Sequence, residues 1–100
     1  ILITDYSSVA FDFGYMRKPV IYYQFDSEQY YSGHYSKGYF DYKKHGFGPI
    51  VYEDENLIKE LSNLLNNKNG GNNYIERYTE FFPLYDQNNC KRNFNAIKII

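Results

Sequence analysis

The sequence predicts an α/β fold, a short parallel sheet flanked by helices, and three observations lead there. A hydrophobic run at Ile1–Thr4 is followed by a helical pattern and then by a second run, Val20–Tyr23, that is β-branched and aromatic. The links between these segments are short, and a strand–helix–strand unit of that kind implies a parallel pair joined by a right-handed crossover. Further on, apolar residues at positions 57, 58, 61, 64 and 65 repeat with the period of an amphipathic helix.

Taken in order, Ile1–Thr4 reads as a buried strand and Ser8–Arg17 as a helix, with Val9, Phe11, Phe13 and Met16 among its packing candidates. Gly14 weakens that helix by about 1 kcal/mol relative to alanine, and Pro19 stops it. Val20–Tyr23 is the next strand. Residues 26–48 show no clean period and are dominated by Tyr, Ser, Gly and Lys. A run of this length inside a compact domain is functional or disordered. Gly48-Pro49 turns the chain into a short strand at Ile50–Tyr52, and Asp54 reads as the N-cap of a helix from about Glu55 to Asn67. Asn66 to Asn73, centred on Gly70-Gly71, is a linker or a C-cap. Tyr74–Phe82 reads as a short helix ended before Pro83. Asn88 or Asn89 caps a last helix from about Cys90 to Ile100, expected to bury Phe94, Ile97 and its end at Ile100. No internal repeat is visible.

Composition narrows the function classes. One hundred residues support at most one domain with a modest core. The chain opens inside a hydrophobic run, without Met, a charged leader or a signal-peptide pattern, and reads as a piece of a longer protein. No apolar run reaches bilayer length. The single Cys90 has no disulfide partner and no metal-ligand companion at useful spacing, which fits a reducing cytosol. A net charge of −1 gives no general attraction to nucleic acid or anionic lipid, although Lys37, Lys43, Lys44 and His45 form one local basic stretch. The 13 Tyr and 8 Phe exceed what so small a domain can bury, so many Tyr belong on a surface or an interface.

The densest chemistry lies at Asp5-Tyr6-Ser7-Ser8, where the first strand feeds the first helix. Such a corner places backbone N–H groups and Ser hydroxyls at the carboxyl end of a sheet, where open α/β sheets bind ligands and a helix start favours an anion. Asp12 lies four residues past Ser8, about 6 Å along the same helical face. That is too far to crowd a diphosphate and suited to accepting hydrogen bonds from sugar hydroxyls. The plainer reading, in which Asp5 or Ser7 caps the helix and Asp12 is a solvated charge, is the one local physics alone favours. Other chemistry is thin. His34 and His45 are the only imidazoles, each beside a glycine, and solvated loop histidines describe them better than a metal pair drawing on Asp41. Ser7-Ser8 lacks the flanking glycines of a hydrolase nucleophile elbow. Dinucleotide and P-loop glycine motifs are absent from the sequence. Tyr22-Tyr23, Tyr30-Tyr31, Tyr35 and Tyr39 near basic residues suit base stacking in form, but the balanced charge argues against nucleic acid.

The wider pattern reverses the local preference. Leu2 to Val9, then Phe11-Asp12-Phe13, Lys18 to Tyr23 and Asp26 resemble the nucleotide-side region of CDP-glycerol glycerophosphotransferases, the polymerases and primases of teichoic-acid-like chains in Gram-positive cell walls. The likeness continues through Gly38 to Tyr42, Gly48-Pro49, Asn56 to Leu61, Phe82, Asp86 and Arg92. It implies that residues 1–100 are a partial C-terminal donor-nucleotide-binding domain of a GT-B-type, Rossmann-like architecture, with a Tyr/Gly-rich loop at about 26–48. By position, the resemblance gives Ser7 and Ser8 to the donor phosphates and Asp12 to ribose or glycerol hydroxyls, while Asp5 orients the turn. Lys37 and Arg92 are weaker donor contacts. Lys37 stands where an Arg is common and lacks its bidentate fork, and Gln87 replaces a usual Gly before Arg92. Implied partners are CDP-glycerol and a polyol-phosphate acceptor on a lipid carrier, reached through other regions of the parent. No cofactor, metal or nucleic acid is implied. The expected location is cytoplasmic, peripheral at the inner face of the membrane through those other regions. Neither His34 nor His45 matches the family's catalytic histidines, so these residues alone are expected to be inactive. Two alternatives remain: a related transferase using CDP-ribitol or a nucleotide sugar, and a non-catalytic α/β interaction module.

Overall fold

A computed structural model describes residues 1–28, 40–66 and 74–99 of the chain. Among these residues, three strands, β1 (Leu2–Thr4), β2 (Val20–Tyr23) and β3 (Ile50–Val51), form one sheet in the order β1-β2-β3. Both pairings are parallel, with Ile3 opposite Ile21 and Tyr22 opposite Ile50. Helix α1 (Val9–Tyr15) links β1 to β2 and packs on both, and helix α3 (Asp54–Asn66) packs on β2 and β3. Between them, α2 (Tyr42–His45) is a single turn, and α4 (Ile75–Phe81) and α5 (Asn89–Ile99) complete the described chain. The expected α/β architecture with a parallel sheet flanked by helices is what the chain adopts.

β2 is the centre of the fold. Val20, Ile21 and Tyr22 are 1%, 0% and 0% exposed, so both faces of this strand are covered, as its position between two parallel neighbours requires. Val20 and Tyr22 join Ala10, Phe47 and Tyr78 in the core cluster, with Phe11, Phe13, Phe40 and Phe82 packed around it. Phe47 meets Phe11 edge-on at 5.7 Å, Tyr78 tilted at 5.9 Å and Phe82 stacked at 5.8 Å between centroids. The core is therefore largely aromatic, which absorbs part of the tyrosine and phenylalanine excess.

Two glycines owe their place to Phe47 and β2. A Cβ on Gly14 would meet the Phe47 ring at 2.7 Å, so the residue that weakens α1 locally is what lets the ring reach the sheet. A Cβ on Gly48 would meet the Val20 carbonyl oxygen at 1.6 Å, an approach only glycine permits.

Several boundaries and burial states differ from expectation. β1 is not a buried strand: it pairs with β2 alone among the described residues, and Ile1 and Ile3 are 49% and 43% exposed. α1 ends at Tyr15, before Pro19 can act. Lys18 N–H donates to the Phe13 carbonyl at 2.9 Å and Arg17 N–H to the Gly14 carbonyl at 3.1 Å, a Schellman closure with Arg17 left-handed at φ 58°. The guanidinium of Arg17 lies 4.1 Å from the Tyr85 ring centroid. α3 starts at Asp54 itself, because Leu57 N–H bonds the Glu53 carbonyl, and the Asp54 carboxylate accepts the Tyr23 hydroxyl instead of capping. α5 buries neither Phe94 nor Ile97, because no described element lies over them. Residues 40–48, part of the expected irregular run, contain α2, capped by Asp41, whose side chain accepts Lys43 N–H at 2.9 Å. That bond holds the Asp41 carboxyl below the usual carboxylate range. His34, Lys37, Gly38, Tyr39, Gly70-Gly71 and Ile100 lie outside the described residues.

Candidate functional site

The turn from β1 into α1 sits at the carboxyl end of the sheet. Asp5 folds back on the chain: its Oδ1 accepts Tyr6 N–H at 2.6 Å. Ser7 Oγ accepts Val9 N–H at 3.3 Å, and the Ser7 and Ser8 carbonyls receive the N–H groups of Ala10 and Phe11. Ser8 occupies the N-cap position with helical angles and makes no side-chain cap bond. One hydroxyl is thus engaged at the helix start, and the other is not spent on capping. Asp5, Ser7 and Ser8 are all exposed, and Asp12 is exposed in the first turn of α1. Asp5, Ser7 and Ser8 thus lie on the turn, and Asp12 on the helix that follows it.

Second-strand residues brace the turn. Gln24, directly after β2, is only 3% exposed, and its Nε2 donates to the Asp5 carbonyl at 3.3 Å. The Tyr6 hydroxyl donates to Asp26 Oδ1 at 3.3 Å, and the Tyr6 ring meets Tyr42 edge-on at 6.0 Å. The carboxyl ends of β1 and β2 are therefore tied through Asp5–Gln24 and Tyr6–Asp26. Sequence reasoning missed Gln24 and gave Tyr6 no role. The available signal was position: each follows a strand end within two residues, where a parallel sheet presents its loops.

Arg92 lies elsewhere. It pairs with Asp86 and donates to Asn89 Oδ1 at 2.8 Å, while Asn89 and the Asp86 carbonyl both meet the hydroxyl of Tyr15, the last residue of α1. The Arg92 guanidinium holds the Asp86 carboxyl below the usual carboxylate range. This group clasps the segment after α4 to the end of α1, apart from the Ser7-Ser8 turn at its start. His45 is structural in its setting: Nδ1 accepts Asp41 N–H at 2.9 Å, and the ring lies 5.7 Å from Phe40. Among the described residues, no cluster of three or more His, Cys, Asp and Glu side chains is arranged to hold a metal ion. Nor, among them, is any helix long and apolar enough to cross a membrane.

Comparison with known proteins adds to this geometry. The family described as CDP-Glycerol:Poly(glycerophosphate) glycerophosphotransferase matches residues 1–98. The minor teichoic acid biosynthesis protein GgaB of Bacillus subtilis (strain 168) is 45% identical over 98 residues, covering 97% of this chain and 10% of that protein. A teichoic acid glycerol-phosphate transferase of Staphylococcus aureus is 44% identical over 85 residues, covering 84% of this chain and 21% of the relative. The solved structure of the wall teichoic acid polymerase TagF matches with a TM-score of 0.69 and 31% identity, over 96% of this chain and 23% of that one. The chain thus spans about a tenth to a quarter of the length of these relatives.

Proposed function

This chain belongs to the CDP-glycerol:poly(glycerophosphate) glycerophosphotransferase family, and from that premise we propose that it is the donor-binding part of a transferase. The parent moves glycerol phosphate from CDP-glycerol to a growing polyol-phosphate chain. The observation that carries this reading is the Asp5–Ser8 turn at the carboxyl end of a parallel β1-α1-β2 unit. Its two exposed hydroxyls are there to meet phosphate, and Asp12 lies one turn on to meet hydroxyls of ribose or glycerol. Asp5, tied to Gln24 and to its own neighbour's N–H, sets the angle of the turn.

In the reaction, the terminal hydroxyl of the acceptor attacks the β-phosphorus of CDP-glycerol. A new P–O bond forms, the bond from that phosphorus to the bridging oxygen breaks, and CMP leaves. The hydroxyl proton passes to a base outside these residues. What this segment supplies is position and charge stabilisation: Ser7 and Ser8 hold the diphosphate in line while the acceptor approaches. Lys37 and Arg92 are lesser parts of the reading, and Arg92, engaged with Asp86, serves first as a clasp. An acceptor carried on a lipid would place the parent at the inner face of the membrane through its other regions.

The test is binding of CDP, CDP-glycerol and cytidine to a Ser7→Ala/Ser8→Ala variant of the full-length enzyme. Both hydroxyls are lost while the backbone amides stay, so a partial loss of about 1–3 kcal/mol is expected for the two diphosphates. Cytidine has no diphosphate and keeps its affinity. Equal weakening of all three would mean general damage to the turn, and unchanged CDP binding would reduce the serines to a helix cap. A CDP-ribitol titration beside CDP-glycerol decides between the two polyols.

A further inference from the structure

The basic stretch of α2 has no part in the Ser7-Ser8 turn, and α4 brings it a second cation. Beside β3, a hollow of about 290 Å³ is lined by Tyr42, Lys43, Tyr52, Tyr74 and Arg77, over a floor at Gly48 to Ile50. Arg77 is fixed in place: one of its amino groups donates to the Gly46 carbonyl at 2.9 Å, and its guanidinium carbon lies 5.2 Å from the Tyr74 ring centroid. Burial pushes the Tyr74 hydroxyl above its usual range, so it stays protonated and able to donate. The lining of this hollow contains two cations and three phenols and no carboxylate. Arg77 also lines a neighbouring hollow of about 260 Å³ with Lys44, His45, Phe81 and one acidic residue, Glu80. Cations therefore continue from one cavity into the next. Among the described residues, neither Lys43 nor Arg77 forms an ion pair. Asp5, Ser7, Ser8 and Asp12 do not line either hollow.

We propose that the hollow formed by Lys43, Arg77, Tyr52 and Tyr74 binds a phosphodiester of the polyol-phosphate chain, as a subsite distinct from the donor turn. This rests on the function proposed above, which supplies a chain with one anionic phosphate per repeat. A planar guanidinium held by a backbone carbonyl, a mobile ammonium and phenolic donors match the oxygens of one phosphodiester. Tyr42 lines the hollow and also touches Tyr6 of the turn, so a bound chain would pass close to the donor without occupying its place. Two successive basic hollows suit a ligand whose charge repeats along its length.

The experiment uses the full-length enzyme with a synthetic glycerophosphate oligomer as probe, bound in the absence of donor, and CDP as the comparison. Lys43→Gln changes an exposed side chain and should weaken the oligomer about 3-fold, and Arg77→Gln about 10-fold. CDP affinity should be unchanged in both. In turnover, KM for the oligomer should rise with KM for CDP-glycerol constant. Because Arg77→Gln also loses the Gly46 bond, circular dichroism checks its fold, and the Lys43→Gln result stands without it. Wild-type affinity for the oligomer in the Lys43 variant would overturn the proposal. So would equal weakening of CDP, which would assign the hollow to the donor. A wild-type enzyme that binds the oligomer but fails to use CDP-glycerol would overturn the proposed function and leave the subsite standing.

Discussion

β2 and α5 stand at opposite ends of burial among the described residues. Val20, Ile21 and Tyr22 are at most 1% exposed, whereas Phe94, Ile97 and Ile99 are 67%, 70% and 85% exposed. Both segments carry apolar side chains at spacings their secondary structures allow. β2 has a parallel neighbour on each side, and Phe47, Ala10 and Tyr78 close over its Val20–Tyr22 face. Polar contacts, Arg92–Asp86 and Asn89–Tyr15, tie α5 to the rest of the described chain. An apolar residue stabilises a fold only through the surface that covers it, at about 1.5–3 kcal/mol for a fully buried aliphatic or Phe side chain. On that accounting, β2 and its aromatic cover hold the domain, and α5 contributes a clasp.

Phe47→Ala breaks the β2 side of the contrast most directly. Its ring contacts Phe11, Phe40, Tyr78, Phe81 and Phe82 and fills the space Gly14 leaves, so a loss of about 3–5 kcal/mol in urea unfolding is expected. A loss under 1 kcal/mol would show that the cover of β2 is not where its stability resides.

Alkaline titration probes the same region more gently. The buried Tyr22 hydroxyl accepts Phe47 N–H at 3.2 Å, and burial raises its pKa above 10.0. Tyr78, also buried, shifts the same way. A raised folded pKa means that the unfolded state releases its proton first. Stability is therefore full below about pH 10 and falls as pH rises from there through the folded value. Unfolding midpoints measured across that window should decline, and Tyr22→Phe should make the decline shallower. A slope unaffected by Tyr22→Phe would remove Tyr22 from the account.

The smallest effect belongs to α5. Phe94→Ser should change the stability of this chain by no more than about 0.5 kcal/mol, since the ring is mostly in solvent. A cost above 2 kcal/mol in urea unfolding would mean that the ring is covered after all, and the contrast with β2 would collapse.

Much of the chain was readable before any coordinates. The apolar runs at 1–4 and 20–23, the helical period at 57–65 and Pro83 placed β1, β2, α3 and α4 to within one or two residues, because backbone preference and side-chain periodicity are local, while α2 went unseen in a run with no period. The Asp5-Tyr6-Ser7-Ser8 corner was legible for the same reason, since a strand that meets small hydroxyl residues and then a helix must turn there. Phe47 was hidden in a run with no period, and its partners Gly14, Tyr22 and Tyr78 are separated from it by 25 to 33 positions.

By itself, then, the sequence determined the order and type of the main elements, the polar corner and the family likeness, all carried by neighbouring residues. Tertiary structure alone decided that β1 is half exposed, that Gly14 exists for a distant ring, and that Gln24 is buried to brace Asp5. It also set Arg92 against Asp86, away from the serines, and brought Lys43 and Arg77 to one hollow. The physical reason is range. Backbone geometry follows from residues a few positions apart, while burial, charge pairing and close approach depend on surfaces that meet only when the whole chain has folded.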